Sequence, residues 1–91
     1  MITKEITVVN RLGLHARAAA QLVRRASTFK SVIKLERLDA NAVADAKSIL
    51  SLLMLAATRG TTLKIVIEGV DEDEALSSIE RLFEEGFGES N

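Results

Sequence analysis

The stretch "TTLKIVIEG", residues 61–69, carries the clearest strand pattern in this 91-residue chain. Leu63, Ile65 and Ile67 recur at every second position, so they point to one face of a strand. Such alternation is typical of an antiparallel sheet that packs on the core with one face and meets water with the other. The pattern therefore predicts a sheet that is covered on one side only.

Three other segments repeat this alternation more weakly. In the first of them, Ile2, Ile6 and Val8 share one face. A polar turn near residues 39–41 separates the other two. The three strand patterns are "ITKEITVVN" (2–10), "SVIKLERL" (31–38, through Ile33 and Leu35) and "NAVAD" (41–45).

Helical periodicity fills two of the gaps between the strands. The first helix is predicted from Ala16 to about Ser27. The second is predicted from about Ser48 to Thr58, with Gly60 as its left-handed C-cap.

A third helix is predicted in "DEDEALSSIERLFEEGF", residues 71–87. Asp71 and Glu74 have the spacing of a capping box. Gly86 followed by Phe87 is typical of a C-terminal cap with an apolar contact. The expected core stripe consists of Leu76, Ile79, Leu82 and Phe83.

The order of elements is then βαββαβα, in an α+β domain that spans residues 1–91. Ninety-one residues suffice for one core and are too few for two. Strands with one polar face and helices with one apolar stripe are best satisfied by a mostly antiparallel sheet with its helices on one side.

Composition limits the possible functions. Aromatic residues make up 3% of the chain, and Trp, Tyr and Cys are absent. Base-stacking surfaces are therefore scarce, and nucleic-acid binding is disfavoured. Without cysteine and with a single histidine, no metal site is expected, and a reducing cytoplasm is the predicted location. No apolar run is long enough to cross a bilayer, so no membrane insertion is expected.

Charge is divided unevenly along the sequence. Residues 1–47 contain nine lysines and arginines and four acidic residues. From Ser48 onward there are three lysines and arginines and nine acidic residues. The basic half suits an anionic ligand or an acidic partner. It contains the only histidine, His15, together with Arg11, Arg17, Arg24, Arg25 and Lys47.

His15 lies directly before the first predicted helix, at its N-cap. The unpaired amides and the positive dipole end there form an anion site. Arg17 adds a guanidinium that suits phosphate oxygens, and Gly13 permits the preceding turn. An ordinary imidazole has a pKa of ~6.5 and is largely a neutral nucleophile near pH 7. This arrangement favours phosphoryl transfer.

Three motifs give a more specific indication: "GLHARAA" (13–19), "KSILSLLMLAA" (47–57) and "EGVDEDEAL" (68–76). In this order they resemble the HPr family, the histidine phosphocarriers of the bacterial phosphoenolpyruvate-dependent phosphotransferase system, over essentially the whole chain. The resemblance implies an open-faced β-sandwich of four antiparallel strands and three helices. It further implies a stoichiometric relay protein that is not itself an enzyme and needs no cofactor.

The resemblance also assigns roles to residues. His15 would accept a phosphoryl group on Nδ1 from Enzyme I and pass it to an EIIA-type protein, in sugar uptake or in nitrogen-related regulation. The backbone amides of Ala16 and Arg17 would bind the phosphate, and the Arg17 side chain would shield its charge.

Some features resemble the nitrogen-related NPr branch of this family. They are Leu12, a longer segment before "KSIL" and the ending "LFEEGFGES" (82–90). Ala18 stands where the family usually has proline. Because alanine is the best helix former, we expect the site to survive that change.

The second helix is apolar on nearly every side, so part of it should be exposed as a partner surface. If Leu52 and Leu55 pack on the sheet, the partner-facing residues are those that match the docking surface of the family. The predicted surface has an apolar centre and a basic rim: Ile49, Leu50 and Leu53 with Ala16, Ala20, Arg17, Arg24 and Lys47. The alternative is that the C-terminal segment covers this helix.

Ser48 is an adequate N-cap for the second helix. The matching serine is phosphorylated by HPr kinase/phosphorylase in many family members, so regulation at Ser48 is a second interpretation. A phosphate there would repel acidic docking surfaces. A transient carrier of this kind is expected to be a monomer.

Two other functions stay open from the residues alone. One is an interaction module whose histidine is idle and whose apolar helix docks regulated targets. The other is a small hydrolase with His15 as general base. The hydrolase is the weakest hypothesis, because no Ser, Cys or carboxylate near His15 in sequence completes a catalytic set.

Overall fold

The computed structural model describes residues 1–89 and has the predicted βαββαβα order. The last two positions of the predicted 1–91 domain, and the final serine of the ending that resembles the NPr branch, lie outside the described residues. Two short 3₁₀ turns, η1 and η2, complete the chain. The elements are β1 (Ile2–Thr7), α1 (Ala16–Ala26), β2 (Val32–Arg37), η1 (Leu38–Ala40), β3 (Ala42–Asp45), α2 (Ile49–Leu55), β4 (Thr62–Glu68), α3 (Glu72–Glu84) and η2 (Gly86–Gly88).

The four strands form one antiparallel sheet in the order β1-β4-β2-β3. Strand β4 lies between β1 and β2, and Ile67 is opposite Ile2 on one side and Ile33 on the other. The stretch with the clearest alternation is therefore an inner strand. Its register aligns its apolar face with those of both neighbours, because side chains directly opposite each other share a face.

The helices cover one face of this sheet, as predicted. Leu63, Ile65 and Ile67 are completely buried on the covered face. On the open face, Val32 and Val43 remain more than half exposed. Full burial of one such aliphatic side chain contributes about 1.5–3 kcal/mol, so the covered face supplies much of the driving force for folding.

Helix α2 ends earlier than predicted. It stops at Leu55, and Ala56 takes the left-handed C-cap conformation, with φ +52°, that was expected of Gly60. Arg37 explains the early stop, because its guanidinium donates hydrogen bonds to the carbonyl oxygens of Leu55 (3.2 Å) and Ala56 (2.7 Å). These bonds satisfy acceptors that a longer helix would have paired internally.

The predicted capping box at Asp71 and Glu74 is wrong. Asp71 is the N-cap residue of α3, but its side chain makes no cap hydrogen bond. Its carboxylate instead accepts from the backbone amides of Lys30 and Ser31 and from the Ser31 hydroxyl. The Ser31 hydroxyl and the two amides hold the pKa of Asp71 below its usual value, against the opposing effect of partial burial. The carboxylate thus fastens the entry to β2 onto α3.

The end of α3 follows the prediction more closely. Gly86 has φ +60°, and the buried ring of Phe87 packs edge-on against Phe83 with 5.0 Å between centroids. The Gln21 side-chain amide donates to the Phe87 carbonyl oxygen at 3.1 Å. These contacts hold the segment after α3 against α1.

Candidate functional site

The loop before α1 places His15. Gly13 adopts φ +67°, and its amide donates to the carbonyl oxygen of Asn10. The next amide, that of Leu14, donates to the Ala57 carbonyl oxygen at 2.9 Å, which ties the loop to the segment after α2. The loop therefore reaches the start of α1 in a fixed geometry.

His15 is the N-cap residue of α1, as predicted. Its backbone is extended, with φ −76° and ψ −179°, and its carbonyl oxygen accepts from the Ala19 amide at 2.8 Å. Its side chain makes no cap hydrogen bond. The backbone amides of Ala16, Arg17 and Ala18 donate no hydrogen bond to any acceptor within residues 1–89. The amide donors of this helix end are thus available to an anion.

A carboxylate contacts the imidazole from the far end of the chain. Nε2 of His15 lies 2.9 Å from an Oε2 oxygen of Glu89. Because an ionised carboxylate can only accept, Nε2 must carry the hydrogen. Nδ1 has no hydrogen-bond partner among residues 1–89. Nδ1 is therefore the ring nitrogen without a hydrogen-bond partner in this part of the chain.

Glu89 is held by two further donors. The Asn10 side-chain amide donates to Oε2 at 2.5 Å, and the Leu12 backbone amide donates to Oε1 at 3.2 Å. The hydrogen bond from Asn10, followed by those from Leu12 and His15, holds the pKa of Glu89 below its usual value despite the burial that opposes it. Glu89 is therefore ionised at neutral pH, with 9% of its side chain exposed.

A pocket of about 390 Å³ opens beside this carboxylate. Arg11 and Arg17 line it together with Leu12, Gly88 and Glu89. Both arginines are exposed, so their guanidinium groups can meet a ligand that arrives from solvent. Two guanidinium groups beside free helix amides suit a doubly charged tetrahedral anion such as phosphate.

The structure separates the inner and outer sides of α2 as the sequence predicted. Leu52 and Leu55 are buried, while Leu50 is 68% exposed. The described part of the C-terminal segment packs along α1 and leaves the outer side of α2 exposed, so the alternative in which it covers α2 is wrong. The exposed apolar side chains, hereafter the α2 surface, are Ile49, Leu50, Leu53 and Met54.

The predicted rim of this surface is only partly in place. Ala16 and Arg24 are exposed, and Ala20 is half-buried. The Lys47 ammonium donates a hydrogen bond to the Phe29 carbonyl oxygen at 2.8 Å. This bond within the protein uses the Lys47 charge that the predicted rim would offer to a partner. Ser48 is the predicted N-cap, since its hydroxyl accepts from the Ser51 amide at 3.2 Å.

Several site residues were not predicted. Glu89 is 74 positions from His15, and neither sequence spacing nor periodicity links the two. Asn10 follows a strand and has the sequence character of an ordinary turn residue. Met54, which is 75% exposed, also belongs to the α2 surface.

Other sites were sought over the described range. No three His, Asp or Glu side chains in residues 1–89 converge on a point where a metal ion could be held. No helix in the same range is long and apolar enough to cross a membrane.

The fold and the site define a small α+β domain that presents one histidine at an anion-binding helix end. Residues 2–85 match the family model described as "PTS HPr component phosphorylation site". The chain belongs to this HPr family. At that level its function is that of a phosphocarrier of the phosphotransferase system.

Individual relatives agree with this assignment. The chain is 49% identical over 89 residues to the phosphocarrier protein HPr of Treponema pallidum (strain Nichols), covering 98% of this chain and 99% of that protein. It is 40% identical over 86 residues to the phosphocarrier protein NPr of Proteus mirabilis (strain HI4320), covering 94% of each. The crystal structure of "HPr-C-His" from Thermoanaerobacter tengcongensis superposes with a TM-score of 0.93 at 40% identity, with both chains fully covered.

Proposed function

We propose that His15 accepts a phosphoryl group on Nδ1 from Enzyme I and passes it to an EIIA-type protein. The observation that carries this proposal is the position of the ring. Nδ1 has no partner among the described residues, and the free amides of Ala16 and Arg17 follow it directly. The proposed nucleophile and the proposed anion-binding donors are therefore neighbours along the chain.

The chemistry requires positioning more than covalent assistance. The Nδ1 lone pair attacks phosphorus while the bond between phosphorus and the leaving atom of the donor breaks. The helix amides and the Arg17 guanidinium then face the phosphoryl oxygens and offset their charge. His15 is 25% exposed at its side chain, so a partner's reacting group can reach it.

The test is phosphorylation by a purified Enzyme I with phosphoenolpyruvate. We expect one acid-labile adduct of about 80 Da per chain, located on His15 by fragmentation under alkaline conditions. Binding to Enzyme I without any adduct would instead support the interaction module. An acid-stable adduct would place the phosphate on a hydroxyl group and contradict the proposal.

The α2 surface is the proposed docking site for both partners. Its apolar side chains, together with exposed cations of α1 that include Arg17 and Arg24, would suit partner surfaces with an acidic rim. The Leu50 side chain extends from the middle of this surface. A charge placed there would be desolvated on docking.

Replacing Leu50 with glutamate is expected to raise the KM for this protein in the Enzyme I reaction about tenfold or more. The Tm should change little, because the side chain is already 68% exposed. A matched control is Val32→Glu, which adds the same charge at a 56% exposed apolar residue on the open face of the sheet. Equal KM values for the two variants would contradict docking through α2.

We further propose that Ser48 is phosphorylated by HPr kinase/phosphorylase. Its hydroxyl lies at the start of α2, adjacent to Ile49 of the docking surface. A phosphoserine would interact favourably with the positive end of the helix dipole. It would also place a dianion beside a surface that meets acidic partners. Ser48→Asp should therefore slow the Enzyme I reaction several-fold. Unchanged kinetics in Ser48→Asp, or no labelling of Ser48 by the kinase, would contradict this proposal.

The downstream role is proposed as either sugar uptake or nitrogen-related regulation in the cytoplasm. Leu12 favours the nitrogen-related branch, whereas a relative named HPr is 49% identical to the chain and a relative named NPr 40% identical, so both roles stay in the proposal. We propose that the carrier acts as a monomer, because the α2 surface must be free to meet each partner in turn.

A further inference from the structure

The described structure contains a buried carboxylate that the phosphocarrier function does not by itself require. Glu89 keeps 9% of its side chain exposed and accepts hydrogen bonds from three donors. One of those donors is Nε2 of the nucleophilic histidine. An ionised group is costly to bury, so an arrangement that satisfies both of its oxygens is unlike an ordinary surface contact.

We infer that Glu89 is a positioning residue for phosphoryl transfer, which it serves by holding His15 in the tautomer with hydrogen on Nε2. This inference rests on the proposed function of His15. With Nε2–H bonded to the carboxylate, the Nδ1 lone pair is free and its direction is fixed. The ring cannot turn its other nitrogen outward without losing this hydrogen bond.

The same carboxylate matches the charge change during the step. When Nδ1 forms a bond to phosphorus, the leaving atom of the donor keeps the electron pair of its broken bond to phosphorus. The imidazole of His15 becomes cationic, because it now carries phosphorus on Nδ1 and hydrogen on Nε2. Glu89 faces this new positive charge at 2.9 Å. On transfer to the acceptor, the electron pair returns to Nδ1 and the Nε2 hydrogen stays in place, so no proton moves in either direction.

The carboxylate is itself held in place. Asn10 is fully buried and donates both to Glu89 and to the Gly13 carbonyl oxygen, which links the carboxylate to the loop that positions His15. Phe87, two residues before Glu89, is anchored in the core. Both ends of the hydrogen bond are therefore fixed before a partner arrives, which is the condition for positioning to speed a reaction.

The experiment compares Glu89→Gln and Glu89→Ala with the unmodified chain. Rates of phosphorylation by Enzyme I are measured against carrier concentration, and ¹⁵N-histidine NMR reports the tautomer of His15. We expect kcat to fall about tenfold in Glu89→Gln, because its amide oxygen can still accept from Nε2 but no longer offsets the positive charge of the imidazole. We expect a further fall in Glu89→Ala, because the hydrogen bond is lost as well. KM should stay within about twofold. The NMR should show Nε2–H alone in the unmodified chain and a mixture with Nδ1–H in Glu89→Ala.

Glu85→Gln is the matched control, since it removes the same charge from an exposed residue four positions earlier. It should change neither kcat nor the tautomer. If Glu89→Gln and Glu89→Ala are phosphorylated as fast as the unmodified chain, or if Glu89→Ala keeps a pure Nε2–H tautomer, the inference is wrong while the proposed function stands. If the unmodified chain itself is not phosphorylated on His15, the proposed function fails first.

Discussion

Phosphorylation by Enzyme I is expected to fall to background when His15 is replaced with alanine. His15 is the only histidine in the chain, and no cysteine is present that could accept a phosphoryl group as a thiolate. The amides of Ala16 and Arg17 and both pocket arginines would remain, but they can only bind an anion and cannot attack phosphorus. The measurement is the yield of the acid-labile adduct at saturating phosphoenolpyruvate and Enzyme I.

The fold of the His15→Ala variant should survive, which makes the comparison clean. The His15 side chain makes no cap hydrogen bond, so α1 keeps its first turn. Glu89 would keep its hydrogen bonds from Asn10 and Leu12. We expect the Tm to fall by no more than a few degrees. An acid-labile adduct that persists in this variant would show that another residue carries the phosphate.

Arg17→Ala is the companion variant. It keeps the nucleophile and removes one exposed guanidinium from the pocket. Labelling should therefore slow without disappearing, because the helix amides and Arg11 still offset the phosphoryl charge. This contrast between loss and slowing separates the nucleophile from the groups that stabilise charge around it.

The parts of the fold that could be predicted from the sequence are those with local causes. The face formed by Leu63, Ile65 and Ile67 follows from period-two alternation, and the burial of Leu52 and Leu55 follows from helical spacing. Contacts between distant segments could not be predicted in this way. Helix α2 ends early because Arg37, on β2, binds its last carbonyl oxygens.

Asp71 shows the same limit. Its spacing to Glu74 is that of a capping box, yet its carboxylate is used by the amides of Lys30 and Ser31, some 40 positions earlier. Those amides lie at the turn into β2 and need an acceptor when the chain is folded. The Asp71 side chain therefore bonds to a segment that is distant in sequence and does not cap its own helix. A short stretch of sequence does not contain both partners of such a bond.

The residues of the candidate site also fall into a group that is local in sequence and a group that depends on distant contacts. His15, Ala16 and Arg17 are consecutive, so their grouping could be predicted from the sequence together with the helix start. Glu89 reaches the ring only because the segment after α3 folds back along α1. The sequence therefore predicted that His15 lies at the start of α1, while the contact between Glu89 and the imidazole depends on the tertiary fold.

Replacing Gly13 with alanine is expected to have the largest effect on stability of any single methyl addition near the site. A Cβ at this position would lie 2.6 Å from the Ala57 carbonyl oxygen and 3.0 Å from the Thr58 Cα. Both are backbone atoms, so neither can turn aside. The residue also has φ +67°, which costs an alanine roughly 1–2 kcal/mol. With overpacking added, we expect a loss of about 2–4 kcal/mol in the free energy of unfolding.

The clash caused by the added methyl group should also change the position of His15. The Ala57 carbonyl oxygen that the new methyl group would push away accepts the Leu14 amide, and Leu14 directly precedes His15. Moving this oxygen shifts the end of the loop relative to α1. Glu89 would also lose alignment, since Asn10 bonds both the Gly13 carbonyl oxygen and the carboxylate. The rate of phosphorylation should therefore fall at temperatures where the variant is still folded.

Gly60→Ala separates the two causes. Gly60 also has a left-handed backbone, with φ +90°, but a Cβ there meets nothing within 4 Å. This variant should lose about 1 kcal/mol from conformational strain alone and keep the phosphorylation rate of the unmodified chain. Unfolding in urea measures the free energy of each variant. The difference between the two variants isolates the close approach of the loop to Ala57. Equal losses of unfolding free energy together with equal phosphorylation rates would show that this approach does not hold His15 in place.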